Sequence, residues 1–214
     1  GAAEWLSRLC GADTKVLVVQ NGIEHDLADA YTNGAPTIPT VVYCGAELLE
    51  PGHIKHSSAG HLFVPDQPYG DALLELFAES QAEVRPTSAF ATEKWRKLSF
   101  NVLLNGLTAL TGRTLSVVGD PAIRPIAIET IRECWQIARA DGADLDPDGA
   151  EAIIDRLINS GNDGGTSMLY DTRAGRPTEH DAIHGSALRR AEALGIDTPT
   201  IRFIHGILDA RSRA

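Results

Sequence analysis

The periodicity of this sequence changes once, near residue 87, and that change constrains the fold more than any other feature. Before it, short β-branched runs at residues 15–20 and 38–43 alternate with helical stretches, which is typical of a sheet of parallel strands with helices between them. From residue 89 onward the periodicity is helical only, with breaks at glycine and proline positions. The sequence therefore predicts an α/β domain over residues 1–87 and an all-α domain over residues 88–214.

The individual elements follow from the same periodicity. In the first part we expect strands at 15–20 and 38–43, helices near 24–32 and 70–81, and two short antiparallel strands at 53–56 and 61–64. In the second part we expect helices at about 90–110, 121–141, 147–159, 166–173, 179–194 and 199–212.

Composition excludes several classes of protein. Nineteen Lys and Arg against 29 Asp and Glu give a net charge of −10, which disfavours binding to a phosphate backbone. No run reaches the ~18 apolar residues of a membrane helix. Cys10, Cys44 and Cys134 are widely spaced and form no CxxC pair, so neither a disulfide framework nor a zinc knuckle is expected. We predict a cytoplasmic protein that binds neither nucleic acid nor membrane.

A polar stripe runs along the helix predicted near residues 90–110. At ~100° per residue, Lys97, Asn101 and Asn105 share one arc, and most of the remaining circumference is apolar. A helix that is hydrophobic nearly all round is buried, so this stripe is expected to face a cleft. A lysine beside two carboxamides offers a proton donor and neutral hydrogen bonds, which suit a carbonyl and a carboxylate. A solvated stripe is the alternative, and the geometry leaves the chemistry open.

A second polar cluster follows the glycine-rich loop at residues 161–165. Ser167 is a candidate N-cap for the helix after that loop. Thr178 and Asp181 fit a capping box for the next helix, in whose first turn Glu179 would favour the helix dipole. Each of these residues therefore has a structural interpretation beside a functional one.

Taken together, these segments resemble ketopantoate reductase (2-dehydropantoate 2-reductase). The resemblance lies in WRKLSFNVLLNGLTAL at residues 95–110, TSMLYDTRAGRPTEHDAIHG at 166–185 and VLVVQNGIEH at 16–25. It implies a Rossmann-type NADP-binding domain followed by an all-helical domain of the 6-phosphogluconate dehydrogenase C-terminal type. It also implies hydride transfer from NADPH to the keto carbon of 2-dehydropantoate, giving pantoate for coenzyme A synthesis, in a chemistry that uses no metal.

The resemblance also assigns roles to single residues. Lys97 matches the general acid, and Glu179 matches a carboxylate that contacts substrate, helps to place the lysine and adjoins the cofactor. Asn21 matches a residue near the nicotinamide. The substrate-binding positions match Asn101, Asn105 and Ser167, with the Ser167 hydroxyl expected to bind the substrate carboxylate.

The sequence departs from the family pattern at several positions. The family begins with a GxGxxG fingerprint, which occurs nowhere in these 214 residues, and the chain opens on Gly1 with Met168 as its sole methionine. We therefore expect the dinucleotide-binding domain to be incomplete, as in a fragment of a reductase or a truncated product. His184 stands where the motif more often has Asn.

Three hypotheses follow from the sequence. The first is a ketopantoate reductase that acts on a small 2-keto acid, and a homodimer is expected for it. The second is a related 2-keto-acid reductase on the same scaffold, because a fold does not fix a substrate. The third is a non-catalytic module for binding or dimerisation.

Overall fold

The computed structural model describes residues 2–161 and 163–213, without the side chains of residues 47, 48 and 57–59. The chain divides into two compact units. The first contains Gly1–Gln20 and Glu24–Glu93, and the second contains Asn21–Ile23 and Lys94–Ala214. The short segment Asn21–Ile23 thus belongs with the helices of the second unit, although the strand that precedes it belongs to the first.

The first unit combines two small sheets with short helices. Its elements are α1 (Ala2–Leu9), β1 (Val16–Val18), a 3₁₀ helix (His25–Tyr31), β2 (Thr37–Pro39), β3 (Val41–Glu50), β4 (His53–Pro65), α2 (Gly70–Leu76) and β5 (Glu83–Thr87). β1 and β2 pair in parallel, with Leu17 opposite Ile38. The second sheet has the order β3-β4-β5, in which β4 is antiparallel to β3 and parallel to β5.

Two strand predictions are wrong in this unit. Residues 38–43 do not form one strand, because the chain leaves β2 at Thr40 and enters the other sheet as β3. Residues 53–56 and 61–64 are not a pair of strands, because both lie in the continuous strand β4. The hairpin turn lies earlier, at Pro51 and Gly52, where Gly52 has a φ of 83° that suits glycine.

The end of the first unit also differs from the prediction. The helix expected at 70–81 ends at Leu76, and residues 83–87 form strand β5. Pro86 can occupy this strand because β5 lies at the edge of its sheet, where a missing N–H is tolerated. The apolar core beneath this sheet consists of Ile38, Leu62, Val64, Leu73 and Val84.

The second unit is built from helices. They are most of α3 (Phe90–Thr111), then α4 (Arg124–Ala140), α5 (Ala150–Asn159), α6 (Ser167–Arg173), α7 (Ser186–Leu194) and α8 (Pro199–Ser212), with 3₁₀ turns at Leu115–Gly119 and Pro147–Gly149. A π-helical turn, Asp181–Gly185, leads into α7. Its core draws apolar side chains from α3, α4 and α8. In the part of the chain that the structure describes, each helix is too short or too polar to cross a lipid bilayer.

A buried carboxylate fixes α8 against α4. Glu133 of α4 is 2% exposed, and its two oxygens accept the backbone N–H groups of Thr200 (2.8 Å) and Ile201 (2.9 Å). These donors belong to the first turn of α8, where N–H groups have no partner within the helix. The positive end of the helix dipole also favours an anion there, so Glu133 joins two helices that are distant in sequence.

Candidate active site

The polar stripe predicted on α3 is present, and the helix is packed on its other sides. Trp95, Leu98 and Val102 are at most 1% exposed, as expected for a helix that is apolar over most of its circumference. Lys97 and Asn101 are half-buried, whereas Asn105 is 5% exposed. Polar side chains at such positions require hydrogen-bond partners within the protein or in a ligand.

Asn101 belongs to a chain of hydrogen bonds that joins three segments of the second unit. Its Nδ2 donates to Oδ1 of Asn21 at 3.4 Å, and Nδ2 of Asn21 donates to Oε2 of Glu179 at 2.8 Å. We call these residues the amide–carboxylate chain. The structure thus brings together Asn21, Asn101 and Glu179, which are up to 158 positions apart in sequence.

Asn105, one turn further along α3, contacts the start of α6. Its Oδ1 accepts the backbone N–H of Met168 at 3.3 Å and the Ser167 hydroxyl at 3.5 Å. Because both contacts use the carbonyl oxygen, the Nδ2 of Asn105 is directed elsewhere and can donate to a ligand.

The prediction that Ser167 caps α6 is wrong. Thr166 is the N-cap, and its hydroxyl accepts the Leu169 N–H at 3.1 Å and pairs with the Thr108 hydroxyl at 2.7 Å. Both positions carry a hydroxyl that can cap a helix, so the sequence did not distinguish them. Because Thr166 caps the helix, the exposed hydroxyl of Ser167 is not needed for that role.

The electrostatic environment of Lys97 combines two opposing effects. Burial lowers the pKa of Lys97 below its ordinary value, and the negative charge of Glu179 partly opposes this by favouring the ammonium form. The side chain is therefore a better proton donor than a solvated lysine. Among the described residues, no cluster of His, Cys, Asp and Glu side chains is arranged to hold a metal ion.

The segment that carries Glu179 lacks the predicted capping box. The Thr178 hydroxyl pairs with Nδ1 of His180 at 2.9 Å, and Asp181 accepts from Arg189 at 3.0 Å. The helix that follows starts with the π-helical turn, in which the Ser186 N–H donates to the carbonyl of Asp181, five residues earlier. Single π turns within helices are frequent at functional sites, and this one begins two residues after Glu179.

His184 anchors the π-helical turn against α3. Its side chain is fully buried, and Nε2 donates to the Val102 carbonyl at 2.9 Å. A Cβ at Gly106 would lie 2.6 Å from this Nε2 and 2.9 Å from Ile204, so the imidazole occupies the space that a side chain on α3 would need. This packing accounts for a glycine in the middle of a long helix, where it costs about 1 kcal/mol relative to alanine.

We expect His184 to make the protein sensitive to acid. Burial lowers the pKa of His184 to about 3, whereas the imidazole of an unfolded chain titrates near ~6.5. The unfolded state therefore takes up a proton first, and stability that is complete above pH ~6.5 is lost as the pH falls toward 3. Between pH 6.5 and 4.5 the free energy of unfolding should fall by about 2–3 kcal/mol more in the wild type than in His184→Asn.

Urea denaturation followed by far-UV circular dichroism at several pH values measures this difference. His53→Asn, at an exposed position of the β3–β4 hairpin, is the matched control and should keep the wild-type pH dependence. An identical dependence in His184→Asn and the wild type would contradict the assignment.

A Rossmann-like α/β part precedes an all-helical part along the chain, as the sequence predicts. This is the fold of solved ketopantoate reductases. The sequence profile of ketopantoate reductase PanE/ApbA matches residues 1–68, and that of its C-terminal part matches residues 89–212. The chain belongs to the ketopantoate reductase family.

Individual relatives agree with this membership. The 2-dehydropantoate 2-reductase of Mycobacterium tuberculosis (strain H37Rv) is 33% identical over 212 residues, which are 99% of this chain and 72% of the relative. A PanE/ApbA family ketopantoate reductase from Ralstonia eutropha superposes with a TM-score of 0.88 at 26% identity, covering 99% of this chain and 71% of that one. The dimeric ketopantoate reductase from Staphylococcus aureus gives a TM-score of 0.87 at 25% identity, with coverages of 99% and 73%.

Sequence reasoning missed three groups that contact the site. Gly22, Ser186 and the Met168 N–H contact the predicted site residues or the turn beside them. Gly22 had a signal in the sequence, since it follows Asn21 directly in a Gln-Asn-Gly triplet. The backbone N–H of Met168 had none, because any residue at that position carries the same donor.

Proposed function

We propose that this chain acts as an oxidoreductase that reduces 2-dehydropantoate to pantoate with NADPH, a step toward coenzyme A. The observation that carries the proposal is a half-buried Lys97 whose ammonium form is stabilised by the negative charge of Glu179. Glu179 is itself held by the amide–carboxylate chain. Membership of the ketopantoate reductase family supports the same activity, and its named relatives include 2-dehydropantoate 2-reductases.

Lys97 is proposed as the general acid. Reduction of a keto group places negative charge on its oxygen, and a nearby ammonium stabilises that charge and donates the proton. Burial brings the pKa of Lys97 downward, toward the range in which a lysine gives up its proton readily, while Glu179 keeps the ammonium populated. We assign Glu179 to the placing of Lys97 and to substrate contact.

The carboxamides and Ser167 are proposed to bind the substrate. The Nδ2 of Asn105 is left to donate to an acceptor because its Oδ1 is engaged by Met168 and Ser167. Ser167 lies beside it with an exposed hydroxyl, and two such donors suit the carboxylate of a 2-keto acid. Asn101 donates to Asn21, so its own carbonyl oxygen can accept from a hydroxyl of the substrate.

The described residues fit the nicotinamide end of the cofactor. Asn21 follows β1 at its carboxyl end, where doubly wound sheets bind ligands. Its carboxamide retains a second N–H and a second lone pair beyond its bonds to Glu179 and Asn101. A reduced nicotinamide supplies the hydride when it is bound. Because the sequence has no GxGxxG, no residue of this chain is assigned to the pyrophosphate, and the preference for NADPH rests on the resemblance.

A homodimer is proposed together with this activity. The Staphylococcus aureus relative, which is described as dimeric, supports it. Sedimentation velocity of the purified chain, over a range of concentrations, measures its oligomeric state directly.

The activity is tested by following NADPH absorbance at 340 nm with and without 2-dehydropantoate, alongside a panel of other 2-keto acids. Oxidation that requires 2-dehydropantoate supports the proposal, whereas turnover of another 2-keto acid alone favours the related-reductase hypothesis. Calorimetric titration with pantoate reports on substrate binding without turnover. If the chain shows neither turnover nor pantoate binding, the proposed function is rejected and the non-catalytic module remains.

Replacement of Glu179 by Gln should both slow the reaction and alter its pH dependence. The charge of Glu179 raises the pKa of Lys97 against the effect of burial, so the amide should lower that pKa further. Activity requires protonated Lys97 and falls as the pH rises through its pKa; this loss should therefore begin at a lower pH in the variant. We expect kcat at neutral pH to fall about 10- to 100-fold.

The measurement is kcat as a function of pH, between pH 6 and 10, for the wild type, Glu179→Gln and a control variant. Glu192→Gln, which removes an exposed carboxylate from α7, is the matched control for net charge. A shift of the alkaline limb to higher pH in Glu179→Gln would contradict the electrostatic coupling.

A further inference from the structure

Gly22 makes an unusually close backbone contact with the π-helical turn. It has a φ of 95°, and a Cβ built on it would lie 2.3 Å from the carbonyl oxygen of Ala182 and 3.6 Å from Oγ of Ser186. A separation this short is not found for real Cβ atoms, and the obstructing atom belongs to the backbone. Residue 22 therefore has no room for any side chain unless one of the two segments moves.

The π-helical turn explains why the Ala182 carbonyl is directed at Gly22. In a regular α-helix this oxygen would accept the N–H of Ser186, four residues later. Here that N–H donates to Asp181 instead, and the Ala182 oxygen accepts the Ser186 hydroxyl at 2.7 Å. The Ala182 carbonyl is thus held in place by a side chain, and its oxygen occupies the space that a Cβ at residue 22 would need.

This backbone contact lies directly beside a side-chain contact of the candidate active site. Asn21, the neighbour of Gly22, donates to Glu179 at 2.8 Å, and Glu179 precedes Ala182 by three residues. The same two segments are therefore joined twice, once through their backbones and once through the hydrogen bond that holds Glu179. Any displacement at Gly22 is transmitted to Asn21 over a single peptide unit.

We propose that Gly22 is a positioning residue, whose contact with the Ala182 carbonyl sets the distance between Asn21 and Glu179. It acts on the reaction only through these two side chains. The part of this inference that concerns turnover rests on the proposed reductase function, whereas the part that concerns geometry does not. The π-helical turn belongs to the same proposal, because in a regular α-helix the Ala182 carbonyl would accept the Ser186 N–H, which here donates to Asp181.

The test compares Gly22→Ala with a glycine of similar conformation and free surroundings. Gly142 has a φ of 86° and no atom within 4 Å of its Cβ position, so Gly142→Ala reproduces the backbone strain without the collision. Both variants are made in the full chain, each alone and combined with Asn21→Ala. The sequence contains six asparagines, so the side-chain amide of Asn21 is readily assigned in a spectrum of selectively ¹⁵N-labelled protein.

In Gly22→Ala we expect the Asn21 amide resonance to move to the position of an unbonded carboxamide and kcat to fall about 10- to 100-fold. Asn21→Ala should then add no further loss, because both changes break the same hydrogen bond. Gly142→Ala should keep both the resonance and kcat. If Gly22→Ala does not fold, Ser186→Ala, which removes the hydroxyl that contacts the carbonyls of Ala182 and Ile183, should shift the resonance in the same direction by a smaller amount.

An unchanged Asn21 resonance in Gly22→Ala, or in Ser186→Ala where the first variant does not fold, would overturn the proposal. Losses of kcat that multiply in the double variant would overturn it as well. If the wild type shows no turnover of 2-dehydropantoate, the proposed function fails by itself, and the resonance still decides the role of Gly22.

Discussion

Replacement of Lys97 by Met should abolish nearly all reduction of 2-dehydropantoate while the protein stays folded. The substitution keeps a long, flexible side chain in a half-buried position of α3 and removes the ammonium that we propose as the general acid. Proton transfer by a positioned side chain contributes about 10²- to 10⁴-fold to a rate. We expect kcat to fall about 10³-fold, with a much smaller change in KM, since the lysine acts mainly on charge that develops during the reaction.

Steady-state kinetics with 2-dehydropantoate and NADPH measure this loss. Lys55→Met, at an exposed position of β4, is the control for removal of a lysine charge and should keep full activity. The residual activity of Lys97→Met should also lack the alkaline decline of the wild type, because no lysine remains to deprotonate. A Lys97→Met variant with more than a tenth of the wild-type kcat would exclude Lys97 as the general acid.

Much of the candidate site follows from helical periodicity. A spacing of four residues places Lys97, Asn101 and Asn105 on one side of α3, and this relation depends only on the geometry of the helix. The structure adds the partners of these residues. The Asn105 carbonyl oxygen accepts a hydrogen bond from the backbone N–H of residue 168. Such a donor cannot be identified from the sequence, because every residue except proline carries one.

The π-helical turn shows a limit of a different kind. Residues 179–194 have the periodicity of one helix, and the sequence accordingly predicts one. The extra residue of the turn is accommodated through tertiary contacts, namely the Ala182 carbonyl against Gly22 and the His184 imidazole in the space beside Gly106. Both glycines lie far from the turn in sequence, so local periodicity carries no information about it.

The strand errors have a local origin. A continuous β-branched run at residues 38–43 predicts one strand, but such a run is equally compatible with two strands that share a boundary residue. Thr40 fills that role, because its N–H still bonds to Val18 of the first sheet before the chain enters the second. Assignment to one sheet or another depends on distant partners, and here those partners are Val18 and β4.

Replacement of Asn105 by Asp should weaken binding of 2-dehydropantoate without disrupting the fold. The new side chain has the same shape and retains an oxygen acceptor for the Met168 N–H and the Ser167 hydroxyl, which are the contacts that Asn105 makes in the protein. The amide donor that we assign to the substrate carboxylate becomes a second carboxylate. Like charges in contact cost about 3 kcal/mol, so KM should rise about 100-fold.

The pH dependence of this variant separates charge repulsion from loss of a hydrogen bond. Asn105 is 5% exposed, and burial raises the pKa of a carboxyl group. As the pH falls, the introduced carboxyl should become protonated, regain a donor and lose its charge, so the increase in KM should shrink toward pH 5. A lost hydrogen bond alone would give an increase in KM with no such dependence on pH.

Asn159→Asp provides the matched control, since it makes the same chemical change at the exposed end of α5 and should leave KM unchanged at every pH. Thermal unfolding of both variants shows whether the contacts to Met168 and Ser167 survive. If Asn105→Asp unfolds like the wild type and its KM is unchanged, Asn105 does not face the substrate carboxylate, and Ser167, whose hydroxyl bonds to the same oxygen, loses its assignment as well.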